Sequence, residues 1–143
     1  MSHIDPDREA WSAFKALPQD QPIEMLNLVK VKPMADYPAD HPDHGKGLSG
    51  LDAYRAYGRT TAQVFARVGG QQIWAGKPQV MVTGPQAEAW DLAFIARYPS
   101  VQAFMEMVRD PEYRELVKHR SAGVEDSRLL CLGVVTPGVG FGE

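Results

Sequence analysis

The chain has 143 residues, a formal charge of −3 at neutral pH, and is 44% hydrophobic and 23% charged, the balance expected of one soluble globular domain with enough chain to close a single core. Lysine and arginine together number 15 against 18 acidic residues, without a basic cluster, so the surface that nucleic-acid binding requires is missing. The longest uncharged run, Leu129 to Gly142, falls short of the roughly 20 residues that span a bilayer and is broken by Pro137 and glycines. Neither nucleic acid nor membrane is an expected partner. The first residues hold no apolar secretory run and Cys131 is the single cysteine, which points to a reducing, cytoplasmic setting without disulfides or a cysteine-based zinc site.

Residues 1–20 read as an N-terminal helix, with Asp5 as N-cap, Pro6 at the first helical position, Trp11, Phe14 and Leu17 on one face and Pro18 at its end. The run Ile23–Val31 (IEMLNLVKV) reads as a strand apolar on both sides, with Asn27 the one polar residue at its centre. A loop of Pro, Asp, His and Gly follows from Lys32 to Gly50, long enough to suggest either function or disorder. From Leu51 to Val68 the spacing of Leu51, Tyr54, Gly58, Thr61, Phe65 and Val68 predicts an amphipathic helix, closed by Gly69 and Gly70. Residues 71–75 and 79–83 read as strand on either side of Gly76–Pro78, and Trp90–Tyr98 as the clearest strand, with Trp90, Leu92, Phe94, Ala96 and Tyr98 on one face. Ser100 then caps a second helix, Asp110 and Pro111 start a further helical turn, Ser127–Leu132 is the last strand, and residues 134–143 form a Gly-rich tail. The core spans about residues 23–133 of a single domain.

After the N-terminal helix, the order strand, helix, strand, strand, helix, strand predicts a ferredoxin-like βαββαβ antiparallel sheet, an α+β fold with two helices on one face. Strands apolar on both sides leave the other face bare. A homodimer that pairs sheet faces around a barrel-like centre answers that exposure, with a cavity between sheet and helices.

The strings RVGGQQIWAG, WDLAFIARYPSVQAF and DPEYRELVKHR resemble the pattern of domain-of-unknown-function family 1330. The resemblance runs from about Ile23 to Gly133 and implies the dimeric α+β barrel fold, with no settled reaction. The N-terminal helix and the loop from Lys32 to Gly50 depart from the shorter family pattern. Relatives by fold include cofactor-independent monooxygenases, muconolactone-type isomerases and haem-handling proteins, an analogy of fold alone. A haem-degrading site would place an Asn on the first strand, a Trp on the third and a His early in the second helix. Asn27 and Trp90 fit, but that helix offers no His before His119.

Each candidate has a structural reading beside a functional one. Asn27 needs a hydrogen-bond partner or a ligand. Arg97 needs a carboxylate, for which Asp91 is available, or an anionic ligand. Tyr54, Tyr57 and Arg67 on the first long helix, and Trp90, read first as packing and second as groups lining a cleft. His119 and Arg120 suit a helix C-terminus, or could converge on the cavity. Asp40, His41, Asp43 and His44 form a loop with metal-ligating residue types, but Pro42 prevents the helical spacing that usually pairs histidines, so a solvated polar loop without metal is expected. No hydrolase, nucleotide or zinc-protease motif occurs, and no cofactor is implied. The favoured function is the binding or transformation of a small aromatic or carboxylic compound, monooxygenase-like or isomerase-like if catalytic. The alternative is a non-catalytic dimeric interaction or stress-related module.

Overall fold

The computed structural model describes residues 2–142; Met1 and Glu143, the outermost residues of the expected N-terminal segment and tail, lie outside the described residues. Helix α1 (Arg8–Lys15) is followed by β1 (Ile23–Val31), α2 (Gly50–Arg67), β2 (Gln71–Gly76), β3 (Leu92–Tyr98), α3 (Val101–Arg109), α4 (Pro111–Gly123) and β4 (Val124–Gly133). The strands form one four-stranded sheet in the order β2-β3-β1-β4, each neighbouring pair antiparallel. This is the expected ferredoxin-like α+β fold. Among the described residues no helix is long and apolar enough to cross a membrane.

Pairing register decides which side chains meet the helices. Ile23, Met25, Asn27 and Val29 of β1 stand opposite Tyr98, Ala96, Phe94 and Leu92 of β3, and Met25, Asn27 and Val29 stand opposite Cys131, Leu129 and Ser127 of β4. Directly opposed residues share a face. That face is the core side, where Ile23, Met25, Ala96 and Tyr98 cluster with Val64 of α2, Val101 and Phe104 of α3 and Tyr113 of α4, and where Trp11 and Phe14 of α1 dock. The other face carries Leu26, Leu28, Ile95, Leu130 and Leu132.

The helix ends follow from local chemistry. The Ser49 hydroxyl accepts from the Asp52 amide while the Asp52 carboxylate accepts from the Ser49 amide, a reciprocal cap that starts α2. Gly69 (φ 85°) supplies the left-handed residue that ends it. Ser100 caps α3 as expected, and Asp110, extended at ψ 128°, ends that helix and caps α4 through the amides of Glu112 and Tyr113. The expected further turn is therefore a separate helix.

Three local expectations are corrected. The first helix is capped by Asp7 rather than Asp5, because the Asp7 carboxylate reaches the Ala10 amide at 2.7 Å. Residues 79–83 form no strand: Pro78 has no N–H to continue the ladder, and Val80 and Val82 stand exposed. Trp90 precedes β3 instead of beginning it. The loop from Lys32 to Gly50 is ordered by backbone hydrogen bonds from Lys32 to Gly123, Ala35 to Leu48, Asp36 to Ala122 and Gly50 to Lys32, with Tyr37 buried against Ala53 and Ala122.

Candidate functional site

The helices stand off the sheet along one side, leaving an open cleft of about 2110 Å³ whose walls come from α1, α2, α3, α4 and the core side of β1, β3 and β4. Its lining is apolar over most of its extent, with Phe65, Phe94, Phe104, Val117 and Leu129 contributing, and its polar groups include Asn27, Tyr54, Tyr57, Tyr113 and Arg120. A drug-sized ligand needs roughly 300–1,000 Å³, so the cleft exceeds one small molecule.

Tyr57 and Tyr113 face each other across the junction of α2 and α4, their hydroxyls 2.7 Å apart. Tyr54 lies one helical turn before Tyr57, with ring centroids 5.5 Å apart. Burial pushes the phenols of Tyr54, Tyr57, Tyr98 and Tyr113 above the ordinary tyrosine range. At neutral pH they are therefore hydrogen-bond donors and acceptors, not bases.

Arg120, with 17% of its side chain exposed, supplies a positive charge withdrawn from water; Arg8, Arg55, Lys77, Arg114 and Arg128 also line the cleft. Its Nη2 donates to Ser127 Oγ at 3.4 Å and its Nη1 stands 3.7 Å from the largely exposed Asp5 carboxylate. Both contacts are long for a guanidinium. The N-terminal segment that carries Asp5 is tied down beside the cleft, since Ser127 Oγ donates to the His3 carbonyl and the His3 amide donates to Asp126. Asn27 Nδ2 donates to the Met25 carbonyl of its own strand at 3.0 Å. The Cys131 thiol lines the same cleft and is pushed up by burial.

Of the eight residues singled out from sequence, Asn27, Tyr54, Tyr57 and Arg120 meet in this cleft, and the other four stand elsewhere. Arg97 pairs in register with Glu24 and Gln71 on the face away from the helices, because its position in β3 alternates with the core-facing Ala96 and Tyr98. Asp91 does not pair with it; the Asp91 carboxylate accepts from the Val31 amide at 2.9 Å. Arg67 is bound by Asp110 at 3.2 Å, with Glu112 at 3.9 Å. Trp90 lies under the Arg128 guanidinium, 5.0 Å from its ring centroid. His119 points to the loop, where its Nδ1 is 2.7 Å from the Tyr37 hydroxyl.

Two cleft residues were not anticipated from sequence. Tyr113 reads as one more apolar residue of its helix, and only the packing of α2 against α4 turns it into the hydroxyl partner of Tyr57. Asp5 reads as a helix cap, yet faces Arg120.

Comparison with known proteins adds a family and two solved structures. The pattern of the family described as a domain of unknown function (DUF1330) matches residues 49–134. The crystal structure of the methylated RPA0582 protein is 52% identical in sequence, with a TM-score of 0.87, covering 96% of this chain and 98% of its own. A second structure of RPA0582, a protein of unknown function from Rhodopseudomonas palustris, is 50% identical with a TM-score of 0.87, covering 96% of this chain and 100% of its own. No curated protein matches the chain.

Proposed function

We propose, from the premise that this chain belongs to the DUF1330 family, that its cleft takes up a small organic acid whose carboxylate is held by Arg120 and whose aromatic or aliphatic body lies on the apolar walls. The carrying observation is Arg120 itself. Its guanidinium is largely withdrawn from water in an apolar cleft, with the Ser127 hydroxyl at 3.4 Å and the exposed Asp5 carboxylate at 3.7 Å as its partners among the described residues. A charge so placed is stabilised by an anion that can make short, two-pronged contacts, and a carboxylate matches the guanidinium fork. The Tyr57–Tyr113 hydroxyl pair and the Asn27 amide supply neutral hydrogen bonds nearby, the usual complement of a mostly apolar ligand site.

The same reading includes a homodimer built through the sheet faces opposite the helices. Leu130 is 56% exposed and Trp74 50%, and they share a sheet face with Leu26, Leu28, Ile95 and Leu132. An apolar sheet face of that extent is a self-association surface. Pairing by a two-fold axis would bury it against its own copy.

Ligand-observed NMR with a panel of benzoates and their methyl esters tests the ligand class. The acids should bind and the esters should not, and Arg120→Gln should weaken the acids by about 10- to 100-fold, the worth of a charge-assisted hydrogen bond. Equal binding of acid and ester, an unaffected Arg120→Gln protein, or no binding by any acid would refute the proposal.

A further inference from the structure

Outside the cleft, the loop from Lys32 to Gly50 brings two donors, one nitrogen and one oxygen, together with a third from α4. His41 and Asp43 come from the loop and His119 from the helix, each offers one ligating atom, and these atoms all lie within 4.8 Å of one another. All three side chains are half-buried. Tyr37, whose burial anchors the loop, organises them: its ring stacks on His41 with centroids 4.5 Å apart, and its hydroxyl is 2.7 Å from His119 Nδ1. The two imidazoles stand edge to face at 5.4 Å.

One spacing in this group is not explained by hydrogen bonding. Asp43 Oδ2 and His119 Nδ1 are 3.9 Å apart, too far for a hydrogen bond. Two atoms that each bind one first-row ion at roughly 2.0–2.2 Å stand about 3–4 Å from one another. The 3.9 Å gap falls within that range.

We propose that His41, Asp43 and His119 form a binding site for a divalent ion of the zinc, cobalt and nickel class. Two imidazoles and one carboxylate suit these ions and do not suit magnesium or calcium, which require mostly oxygen ligands. Binding draws the donors together by about an ångström from their widest separation, a movement within reach of side-chain rotation in His41 and Asp43. It also has local consequences: Asp43 turns from Lys46, now 3.0 Å away, and His41 Nδ1 gives up the Asp43 amide, now 3.0 Å away. The Tyr37 hydroxyl now occupies His119 Nδ1 at 2.7 Å, so an ion taken up at that nitrogen displaces it. Three protein ligands leave further coordination positions to water, and the ion fastens the loop to α4. None of the three ligands lines the cleft, so this site stands or fails independently of the organic-acid reading.

The test uses the full chain, stripped with a chelator and titrated with Co²⁺ while visible absorption is followed, then with Zn²⁺ in competition. The expected result is one Co²⁺ per chain with the intensified absorption of an ion in low-symmetry nitrogen and oxygen coordination, displaced by Zn²⁺. His119→Ala and the near-isosteric Asp43→Asn should each weaken binding at least about tenfold, with folding verified by circular dichroism. His3→Ala should bind as the parent does. Absorption of the free aqueous ion throughout, unchanged affinity in both site variants, or loss of binding in the His3 variant would overturn the proposal.

Discussion

Truncating Leu130 tests the self-association surface at its most exposed leucine. Leu130→Ala removes the equivalent of three methylenes, worth about 2.4 kcal/mol when wholly buried. The side chain keeps 56% of its surface exposed in the single chain, so the share that a sheet-to-sheet dimer would newly bury is about half, or about 1.3 kcal/mol per protomer. A two-fold axis presents the residue twice, raising the loss to about 2.7 kcal/mol and the dissociation constant by about 100-fold. Sedimentation equilibrium over a dilution series reads this as a shift of the dimer–monomer midpoint. The fold itself should hardly change, because a half-exposed leucine contributes little to the chain's own core, so circular dichroism and urea midpoints measured on the monomer should match the parent. A parent chain that sediments as a monomer, or a variant whose dissociation constant stays within about threefold of the parent, would refute the argument that this sheet face drives pairing.

Three further outcomes follow from the interior. Tyr113→Phe should cost about 1–3 kcal/mol in urea unfolding by leaving the Tyr57 hydroxyl without its 2.7 Å partner, whereas Tyr57→Phe with Tyr113→Phe should cost less than the sum of the singles; strict additivity would show the hydroxyls to be uncoupled. All five tyrosines have phenols raised above their ordinary range, with burial the leading cause. Because the folded values exceed the unfolded one near 10, the stabilisation is complete below about pH 10 and is lost as pH rises through the folded values. Absorbance at 295 nm should therefore rise together with loss of the native circular dichroism, and a gradual rise centred near pH 10 in a still-folded protein would contradict it. Gly123→Ala should destabilise despite alanine's better helix propensity of about 1 kcal/mol, because the added Cβ would sit 2.5 Å from the Gly50 carbonyl oxygen and 3.1 Å from Ala53 Cβ where α2 meets α4; forcing those backbones apart costs about 1–3 kcal/mol, and a thermal midpoint at or above the parent's would show that the junction yields.

What the sequence makes legible here is what short-range patterning controls. Ile23–Val31 appears as a strand with the bounds read from its apolar run, and α2 starts and ends within a residue of its expected limits, because Ser49, Asp52 and Gly69 specify those ends through contacts with near neighbours. The single antiparallel four-stranded sheet also followed, since the sequence of elements admits few ways to lay four such strands under one layer of helices. The candidate site was legible only in part, and parity explains much of the division. Arg97 and Tyr98 are adjacent in an extended strand, so one of them must face the helices and the other must not, and a strand apolar on both sides gives no hint of which. Pairing with Ile23 sends Tyr98 inward and leaves Arg97 opposite Glu24 on the far face. On α4 the same question arises with helical geometry: consecutive residues differ by about 100° around the axis, which turns His119 out to Tyr37 and the loop while Arg120 turns in beside Tyr54 and Tyr57. Read as a pair of cations at a helix end, the two seem to share one role; their separation depends on which flank of the helix meets the sheet and which meets residues 32–49. The grouping of His41 and Asp43 with His119 was illegible for the same reason, since the loop alone offers ligand types at unhelpful spacing and only the burial of Tyr37 against Ala53 and Ala122 draws the loop onto α4. Contacts of this kind, between residues far apart in the chain and fixed by packing rather than by local pattern, are the ones that assemble both the cleft and the loop site.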